Sequence, residues 1–128
     1  MDHFKKVNDT HGHEIGDEVL RMVARTLGGN LRSVDSFGRW GGEEFIAVIT
    51  NTSREYLCMV AERSRRLVAE SELRAGPHHV RVTVSIGATM AHAGDTIESL
   101  VDRADGLLYR AKASGRNRVK FEKSPDAA

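Results

Sequence analysis

Apolar residues recur every three or four positions in three segments of the chain. The segments run from about Asp17 to Gly28-Gly29, from the cap residues 51–53 to just before Gly76-Pro77, and from about Thr96 to Ser114-Gly115. This spacing, bounded by capping and helix-ending residues, predicts three amphipathic helices. The positions predicted to face a core include Val19, Leu20, Val23, Leu57, Val60, Leu67, Val68, Ile97, Leu107 and Ala111.

Two further apolar runs, residues 36–40 and 45–49, flank the pair Gly41-Gly42. Two such runs around a Gly-Gly pair predict a β-hairpin. The tip of this hairpin then carries Glu43 and Glu44.

The run Val80–Gly87 alternates apolar and polar residues and is rich in β-branched side chains, so it predicts a strand. Residues 118–121 predict a short edge strand. Helices interleaved with a hairpin and single strands predict an α/β sandwich, in which helices cover a mostly antiparallel central sheet.

The length of 128 residues limits the number of domains, and the formal net charge of +1 limits the kinds of partner. A chain of this length forms one core, so we expect a single domain over residues 1–123 and a disordered tail at 124–128. The near-neutral charge provides no basic field for a nucleic acid, and the sequence has neither a membrane-spanning run nor a signal peptide. Cys58, the one cysteine, fits a reducing compartment. We therefore expect a cytoplasmic protein, which could be one piece of a longer chain.

Consecutive carboxylates after two glycines are unusual, because adjacent glutamates repel each other unless a cation lies beside them. Gly41 and Gly42 allow a ligand to approach the backbone closely. The carboxylates of Glu43 and Glu44 suit Mg²⁺, which in turn suits phosphates. The alternative is a solvated turn with two surface acids, since short motifs also match by chance.

A polar segment with two glycines, residues 8–17, precedes the first predicted helix. Asn8 and Asp17 offer the donor and the acceptor that a guanine edge requires, and backbone amides of this loop can meet phosphate. The alternative is that Asp17 only caps the helix. His11 and His13 suggest zinc, but no further Cys or His lies at a matching spacing, so we do not expect a metal ion there.

Clusters of cationic residues are candidates for anion binding. Lys112, Arg116 and Arg118 surround the end of the last predicted helix, where they can hold a triphosphate or simply complement a helix C-terminus. Clusters of this kind are often no more than solvated faces. The other clusters are Arg32 with Asp35, and Arg63 with Arg65 and Arg66.

Five motifs follow one another along the chain. They are Phe4-Lys5-x-x-Asn8-Asp9, Gly12-His13-x-x-Gly16-Asp17, Gly41-Gly42-Glu43-Glu44-Phe45, Ser85-Ile86-Gly87 and Ala111-Lys112-x-x-Gly115-Arg116-Asn117. Their order and spacing resemble those of GGDEF-domain diguanylate cyclases, and the resemblance runs from Asp2 to about Phe121. Five motifs in register are far more specific than any one of them.

The resemblance implies a fold like the palm of nucleotide cyclases and polymerases, and an enzyme that condenses two GTP molecules into cyclic di-GMP with Mg²⁺ (or Mn²⁺). One GTP binds to each protomer of a homodimer, and each 3′-hydroxyl attacks the α-phosphate of the other GTP. By motif position, Glu43 is the metal-ligating carboxylate, Glu44 is its acidic neighbour, and the Met1 carbonyl is a further metal ligand. The substrate-binding residues implied are Phe4 and Lys5 through backbone amides, Asn8 and Asp17 for guanine, and Gly41, Gly42, Lys112 and Arg116 for phosphates.

The resemblance also implies regulation. Arg32-x-x-Asp35 matches the family's product-inhibition site for cyclic di-GMP, and Arg63 is the candidate for a third contact from a later helix. Glu43 stands where Asp is commoner in the family, but this variant occurs in active members. A sensory or receiver domain is expected upstream in the full protein.

In the family, a helical segment and the first core strand precede the Phe4-Lys5 stretch, and that strand carries a metal-binding Asp just ahead of the position of Met1. The resemblance therefore implies that this chain lacks that helix, strand and ligand. We expect weak or absent cyclase activity from such a chain unless protomers exchange strands. The alternative function is a catalytically weak or inactive module that binds GTP or cyclic di-GMP. A small α/β domain without a nucleotide function would require all five motifs to match by coincidence.

Overall fold

A computed structural model describes residues 1–123 as ten elements separated by short connections. The helices are α1 (Phe4–His11), α2 (His13–Gly29), α3 (Arg54–Glu70) and α4 (Ile97–Ala113). The strands are β1 (Ser36–Gly41), β2 (Glu44–Val48), β3 (Leu73–Ala75), β4 (His78–Val80), β5 (Ile86–Ala88) and β6 (Val119–Phe121). The predicted tail at 124–128 lies outside the described residues. Within residues 1–123, none of the helices combines the length and apolarity needed to cross a bilayer.

The predicted hairpin around the Gly-Gly pair is confirmed. Strands β1 and β2 pair antiparallel, with Ser36 opposite Val48 and Gly41 opposite Glu44. Gly42 has a φ of +49°, a left-handed conformation that glycine adopts without steric cost. The chain therefore reverses at Gly42, and Glu43 lies at the tip.

The prediction of a loop over residues 8–17 is wrong. Residues 4–11 form helix α1, and α2 begins at His13 rather than at Asp17. Gly12, with a φ of +91°, separates the two helices and occupies the N-cap position of α2. Asp17 lies in the second turn of α2, so it is not the cap. Little in the sequence indicates α1, because this short polar helix buries only Val7 among its eight residues.

Helix α3 is capped by one of the predicted residues, and α4 begins where the sequence predicted. The Ser53 hydroxyl accepts the Tyr56 N–H at 3.1 Å, and Thr96 forms a reciprocal capping box with Ser99. Two predicted core positions are wrong, since Leu67 is 36% exposed and Ile97 is 84% exposed. Ile97 is the first residue of α4, whose buried residues, Leu107 and Ala111, lie in its second half.

The predicted strand Val80–Gly87 is divided. Only its ends pair in ladders, in β4 and β5, whereas residues 81–85 belong to no ladder of the described structure. Val82 and Val84 are nevertheless buried, as the alternation predicted, and the Thr83 carbonyl accepts the Asp2 N–H at 3.0 Å. The alternation therefore identified the buried face but not the pairing.

Strand pairing departs from the expected single sheet. The described residues form three two-stranded sheets, β1-β2, β3-β4 and β5-β6. The β3-β4 hairpin turns at Gly76-Pro77 and was not predicted, while the predicted strand at 118–121 is present as β6 and pairs parallel with β5. The α/β class is confirmed.

The core lies between α1, α2, the end of α3 and the segment 80–84. It consists largely of valines, which are compact and β-branched and so suit strand faces. Its buried members are Met1, Val7, Val19, Leu20, Met22, Val23, Val68, Val80, Val82 and Val84. The start of the chain, just before α1, lies beside the tip of the β1-β2 hairpin, where Met1 bonds to Glu43.

Candidate active site

The hairpin tip and the end of α4 meet through an ion pair. The Lys112 ammonium lies 3.9 Å from Oε1 of Glu44, and both side chains remain about a third exposed (32% and 40%). Such a partly exposed pair contributes little to stability, so each group can exchange its partner for a ligand. The structure thus brings together an acid and a cation that are 68 residues apart in sequence (112 minus 44).

Met1 connects the N-terminus to the same place. Its ammonium donates a hydrogen bond to the Glu43 carbonyl at 2.9 Å. Burial lowers the pKa of this ammonium below its ordinary value; Asp2 opposes the shift, Lys112 adds to it, and Glu43 and Glu44 oppose it. Five charged groups therefore act on one another around the hairpin tip.

The oxygen donors at the tip fit Mg²⁺. Glu43 is half-buried, and within residues 1–123 its carboxylate takes part in no ion pair, whereas the Glu44 carboxylate shares Lys112. Mg²⁺ in nucleotide sites is bound through one or two carboxylates together with substrate phosphates and waters. Across the described part of the chain, no three His, Cys, Asp or Glu side chains gather as a metal-binding group.

Asn8 and Gly16 bring the two predicted guanine contacts together. Asn8 on α1 packs against Gly16 on α2, and Asp17 follows Gly16 directly. Oδ1 of Asn8 is buried and has no hydrogen-bond partner in the described structure. A buried carbonyl oxygen left unpaired is costly, typically about 1–3 kcal/mol, so this amide is a candidate for ligand contact.

A cavity of about 330 Å³ opens between α2 and the hairpin. Asp17 and Phe45, two residues of the sequence motifs, contribute to its wall. The sequence analysis did not predict the other residues that line this cavity. Two signals were present: Arg21 follows Asp17 at the helical spacing of four, and Arg39 lies on the same face of β1 as Phe37, two residues earlier. These missed residues are Leu20, Arg21, Ala24, Phe37 and Arg39.

The N-terminus of α1 offers free backbone donors. The first intrahelical bond runs from the Val7 N–H to the His3 carbonyl at 3.2 Å. The amides of Phe4, Lys5 and Lys6 therefore precede the first N–H that donates within the helix, as at any helix start. The His3 side chain forms no cap hydrogen bond. This end of the helix can receive an anion.

The turn after α4 carries Arg116 in an unusual conformation. Arg116 and Asn117 have φ values of +61° and +46°, a region that residues other than glycine seldom occupy. The Arg116 N–H donates to the Ala111 carbonyl at 2.9 Å, and the Asn117 N–H donates to the Asp2 carboxylate at 3.1 Å. Arg116 is exposed beside the last turn of α4, which carries Lys112.

Arg32 and Asp35 form a preassembled pair. Two guanidinium nitrogens of Arg32 bind the two oxygens of Asp35, at 3.2 and 3.0 Å, and the Thr50 N–H adds a bond at 3.2 Å. The Arg32 hydrogen bond is the main reason why the pKa of Asp35 lies below its usual value. The guanidinium also stacks on the Tyr56 ring, 4.7 Å from its centroid. Sequence reasoning missed Tyr56, which no spacing rule connects to Arg32.

Arg63 approaches this pair from α3 but binds a different residue. Its guanidinium donates to the side-chain and backbone oxygens of Asn30, two residues before Arg32. Asn30 in turn donates to Ser64 at 2.8 Å. Arg63 is therefore tied to the segment just before the Arg32-Asp35 pair, with Asn30 as its direct partner.

The two histidines considered for zinc are separated by the helix break at Gly12. His11 instead contacts His78 of β4, with 3.0 Å between the two Nδ1 atoms. A nitrogen separation of this length fits one shared hydrogen bond between the rings. It ties the end of α1 to the β3-β4 hairpin.

Comparison with known proteins gives consistent matches. A family profile described as diguanylate cyclase, GGDEF domain, matches residues 1–118. The response regulator PleD of Caulobacter vibrioides is 48% identical over 122 residues, which are 93% of this chain and 27% of PleD. This chain thus spans about a quarter of the length of that curated relative.

Two solved structures share the fold. The GGDEF domain of DgcB from Caulobacter crescentus, in complex with c-di-GMP, has a TM-score of 0.89 and 35% identity, covering 94% of this chain and 72% of that one. The active GGEEF domain of a diguanylate cyclase from Vibrio cholerae has a TM-score of 0.84 and 37% identity, covering 96% and 78%. These similarities confirm the predicted palm-like α/β fold.

Proposed function

This chain belongs to the family of GGDEF diguanylate cyclase domains, and from that premise we propose that it condenses two GTP molecules into cyclic di-GMP. The observation that carries the proposal is the meeting of Glu44 and Lys112, 3.9 Å apart, beside Glu43 at the hairpin tip. Phosphoryl transfer depends mainly on positioning and charge neutralisation, and this place supplies carboxylates and an ammonium side by side.

The guanine base is proposed to lie between α1 and α2. The Watson-Crick edge of guanine carries two donors, N1–H and the N2 amino group, and one acceptor, O6. The Asp17 carboxylate can accept from the donors, and the Asn8 amide can both donate and accept. The unpaired Oδ1 of Asn8 supports this placement. On the other side of Asp17, the cavity of about 330 Å³ between α2 and the hairpin leaves room beside the base. Leu20 and Phe45, which line this cavity, would form an apolar wall against the base.

The triphosphate is proposed to run from the N-terminus of α1 to the end of α4. The free amides of Phe4 and Lys5 can donate to phosphate oxygens, and the chain reversal at Gly41 and Gly42 leaves room for close approach. Lys112 and Arg116 then neutralise the charge. In this arrangement Lys112 exchanges Glu44 for phosphate.

Glu43 would hold the divalent ion, with Glu44 as its acidic neighbour and the Met1 carbonyl as a further oxygen. Mg²⁺ or Mn²⁺ bound there would polarise the phosphate oxygens and offset their charge. The variant motif with glutamate is compatible with activity, since the similar Vibrio cholerae domain is an active GGEEF domain.

The reaction requires two copies of the site. The 3′-hydroxyl of each bound GTP attacks the α-phosphate of the other and displaces pyrophosphate, so two protomers must face each other. Each chain contributes the groups that orient its own GTP, which converts the encounter of two nucleotides into a positioned reaction. We therefore propose a homodimer as the catalytic form.

Product inhibition is proposed at Arg32 and Asp35, with Arg63 as the third contact. The similar DgcB domain was solved in complex with c-di-GMP. Arginine forks suit phosphate diesters and also stack on bases. On binding, Arg63 would exchange Asn30 for the ligand, while Tyr56 keeps the Arg32 guanidinium in place.

Control by another domain is also proposed, because PleD, of which this chain covers only part, is a response regulator. We expect the substrate, GTP, to be met in the cytoplasm.

The activity test is incubation with GTP and Mg²⁺ followed by chromatography for cyclic di-GMP. It uses this chain and a version extended N-terminally by its upstream residues. We expect GTP binding from both and product from the extended version. Glu43→Gln should abolish product formation. Glu98→Gln is the control, because Glu98 lies in the first turn of α4, at the end far from Lys112, and it should leave product formation unchanged.

Two outcomes contradict the proposal or replace it. If neither version binds GTP, the nucleotide site is wrong. If both bind GTP but the extended version makes no product, the chain is instead a nucleotide-binding regulatory module.

The inhibitory site has a separate test. Titration of cyclic di-GMP by calorimetry should show binding to the native chain and strongly weakened binding to Arg32→Ala. Arg25→Ala, an exposed arginine on α2, serves as the matched control and should bind normally. Undiminished binding by Arg32→Ala would remove this site from the proposal.

A further inference from the structure

Asp2 is an acidic residue without an assigned role, and it is almost completely buried, with 3% of its surface exposed. Its carboxylate accepts three hydrogen bonds: from the Ser85 hydroxyl at 2.7 Å, the Thr83 hydroxyl at 2.7 Å and the Asn117 N–H at 3.1 Å. These donors come from two segments that are distant in sequence. A buried carboxylate with several donors is a strong local organiser.

The three donors satisfy both oxygens of the carboxylate: Oδ1 accepts from Ser85, and Oδ2 accepts from Thr83 and from the Asn117 amide. A buried polar group with this many partners holds the segments that supply them in one arrangement.

One of these donors belongs to the turn with left-handed backbone at Arg116 and Asn117. Residues with side chains keep this conformation only when their surroundings fix it. The Asn117 amide bonds to Asp2 on one side, and the Asn117 side-chain oxygen accepts Nη1 of Arg65 at 2.9 Å on the other. The turn is therefore held from both sides, by the start of the chain and by α3.

We propose that Asp2 is a positioning residue, whose carboxylate fixes the turn at Asn117 so that the preceding Arg116 faces the triphosphate beside Lys112. Asp2 does this without touching the nucleotide. The inference rests on the proposed function, because it requires GTP to bind at this end of α4.

A purely structural role makes a different prediction. Loss of a structural contact would weaken every part of the nucleotide's binding alike. A positioning role toward Arg116 affects the phosphates and spares the base, since the guanine contacts lie on α1 and α2.

The experiment measures dissociation constants for GTP and for guanosine by calorimetry in Mg²⁺ buffer. The proteins are the native chain, Asp2→Asn, Arg116→Ala and the double variant. We expect Asp2→Asn to weaken GTP binding about tenfold, the size of one charge-assisted hydrogen bond, and to change guanosine binding less than about twofold. The double variant should bind GTP no more weakly than Arg116→Ala alone, because Asp2 acts through Arg116.

Folding is checked by circular dichroism. If Asp2→Asn does not fold, Arg65→Met replaces it, since the partly exposed Arg65 of α3 holds the same turn through the Asn117 side chain. It should also weaken GTP binding and leave guanosine binding unchanged.

Equal weakening of GTP and guanosine, or additive effects of Asp2→Asn and Arg116→Ala, would overturn the inference. A native chain that binds no GTP would instead overturn the proposed function itself.

Discussion

Gly16 of α2 lies so close to Asn8 of α1 that a β-carbon on Gly16 would stand 1.8 Å from Oδ1 of Asn8. No side chain fits there, because Asn8 is itself packed and its Oδ1 is buried. The glycine in the Gly16-Asp17 motif is thus explained by the residue opposite it. Any substitution must displace the amide proposed to contact guanine.

Gly16→Ala should therefore impair guanine binding before it unfolds the chain. The displaced Asn8 should reduce the affinity for guanosine and GTP in parallel, and overpacking should lower the free energy of unfolding by about 1–3 kcal/mol. Calorimetry with both ligands and urea denaturation measure the two effects. The matched control is Gly29→Ala at the end of α2, where a β-carbon meets nothing within 4 Å. Unchanged guanosine affinity in Gly16→Ala would argue against the role of Asn8.

Gly87 is a second glycine that packing requires. A β-carbon there would lie 2.2 Å from the Ala104 carbonyl oxygen and 2.4 Å from the Leu108 nitrogen, both backbone atoms of α4. Because a helix backbone cannot move aside cheaply, Gly87→Ala should lower the free energy of unfolding by about 3 kcal/mol or more. Urea denaturation followed by circular dichroism measures this loss.

Gly106→Ala, on the helix α4 against which Gly87 packs, should have the opposite effect on stability. A β-carbon at Gly106 meets nothing within 4 Å, and the position is inside α4. Alanine should therefore raise the free energy of unfolding by about 0.5–1 kcal/mol. If both variants changed stability alike, close packing of β5 on α4 would not be the cause.

The ion pair between Asp95 and Arg103 should make stability depend on pH. The hydrogen bond from Arg103, then those from the His92 amide and the Ser99 hydroxyl, hold the pKa of Asp95 well below its usual value. The pKa of an unfolded Asp is about 3.9, so below about pH 4 the unfolded chain binds more protons than the folded chain does. The pair's contribution is therefore present at neutral pH and lost on acidification.

Urea midpoints of the native chain and Asp95→Asn test this at about pH 7 and about pH 3. The variant should be less stable at the higher pH, and the difference should narrow at the lower pH. Asp102→Asn, an exposed residue of α4, should show no such difference. A gap of equal size at both pH values would contradict the assignment.

Replacement of Lys112 by an uncharged residue should weaken triphosphate binding. Lys112→Gln removes one cation from the proposed phosphate site, so GTP affinity should fall about tenfold, and the dependence of affinity on salt should decrease. Guanosine affinity should not change. Calorimetry at two salt concentrations measures both effects, with Lys120→Gln on β6 as the control; an unaltered GTP affinity in Lys112→Gln would exclude this lysine.

The sequence predicted those elements whose signals are local. The hairpin followed from Gly41-Gly42 between apolar runs, and α3 and α4 followed from their cap residues and their periodic apolar positions. Helix α1 was missed because its only apolar residues are Phe4 and Val7, of which only Val7 is buried, and two positions are too few to establish a period. The strand at Val80–Gly87 was overextended because alternation reports which face is buried, not which backbone groups pair.

The residues of the candidate site also fall into those that motifs predict and those that only the packing reveals. Glu43, Glu44 and Lys112 could be named from motifs, and the structure places Lys112 against Glu44. Arg39 and Leu20 were not predicted as site residues, because they reach the cavity only through the packing of the hairpin on α2. Contacts such as those of Arg63 with Asn30 depend on how two helices meet, which no sequence spacing specifies.

The pairing of Glu44 with Lys112 has a consequence for the order of ligand binding. In the absence of nucleotide, each of these charges is the other's counterion. Free nucleotide would take Lys112 and leave the carboxylate uncompensated, and free Mg²⁺ would take Glu44 and leave the ammonium uncompensated. A magnesium nucleotide brings both signs of charge together and can replace both counterions in one step. If the hairpin tip binds GTP as proposed, it should therefore favour the preformed complex of metal and nucleotide over either component by itself.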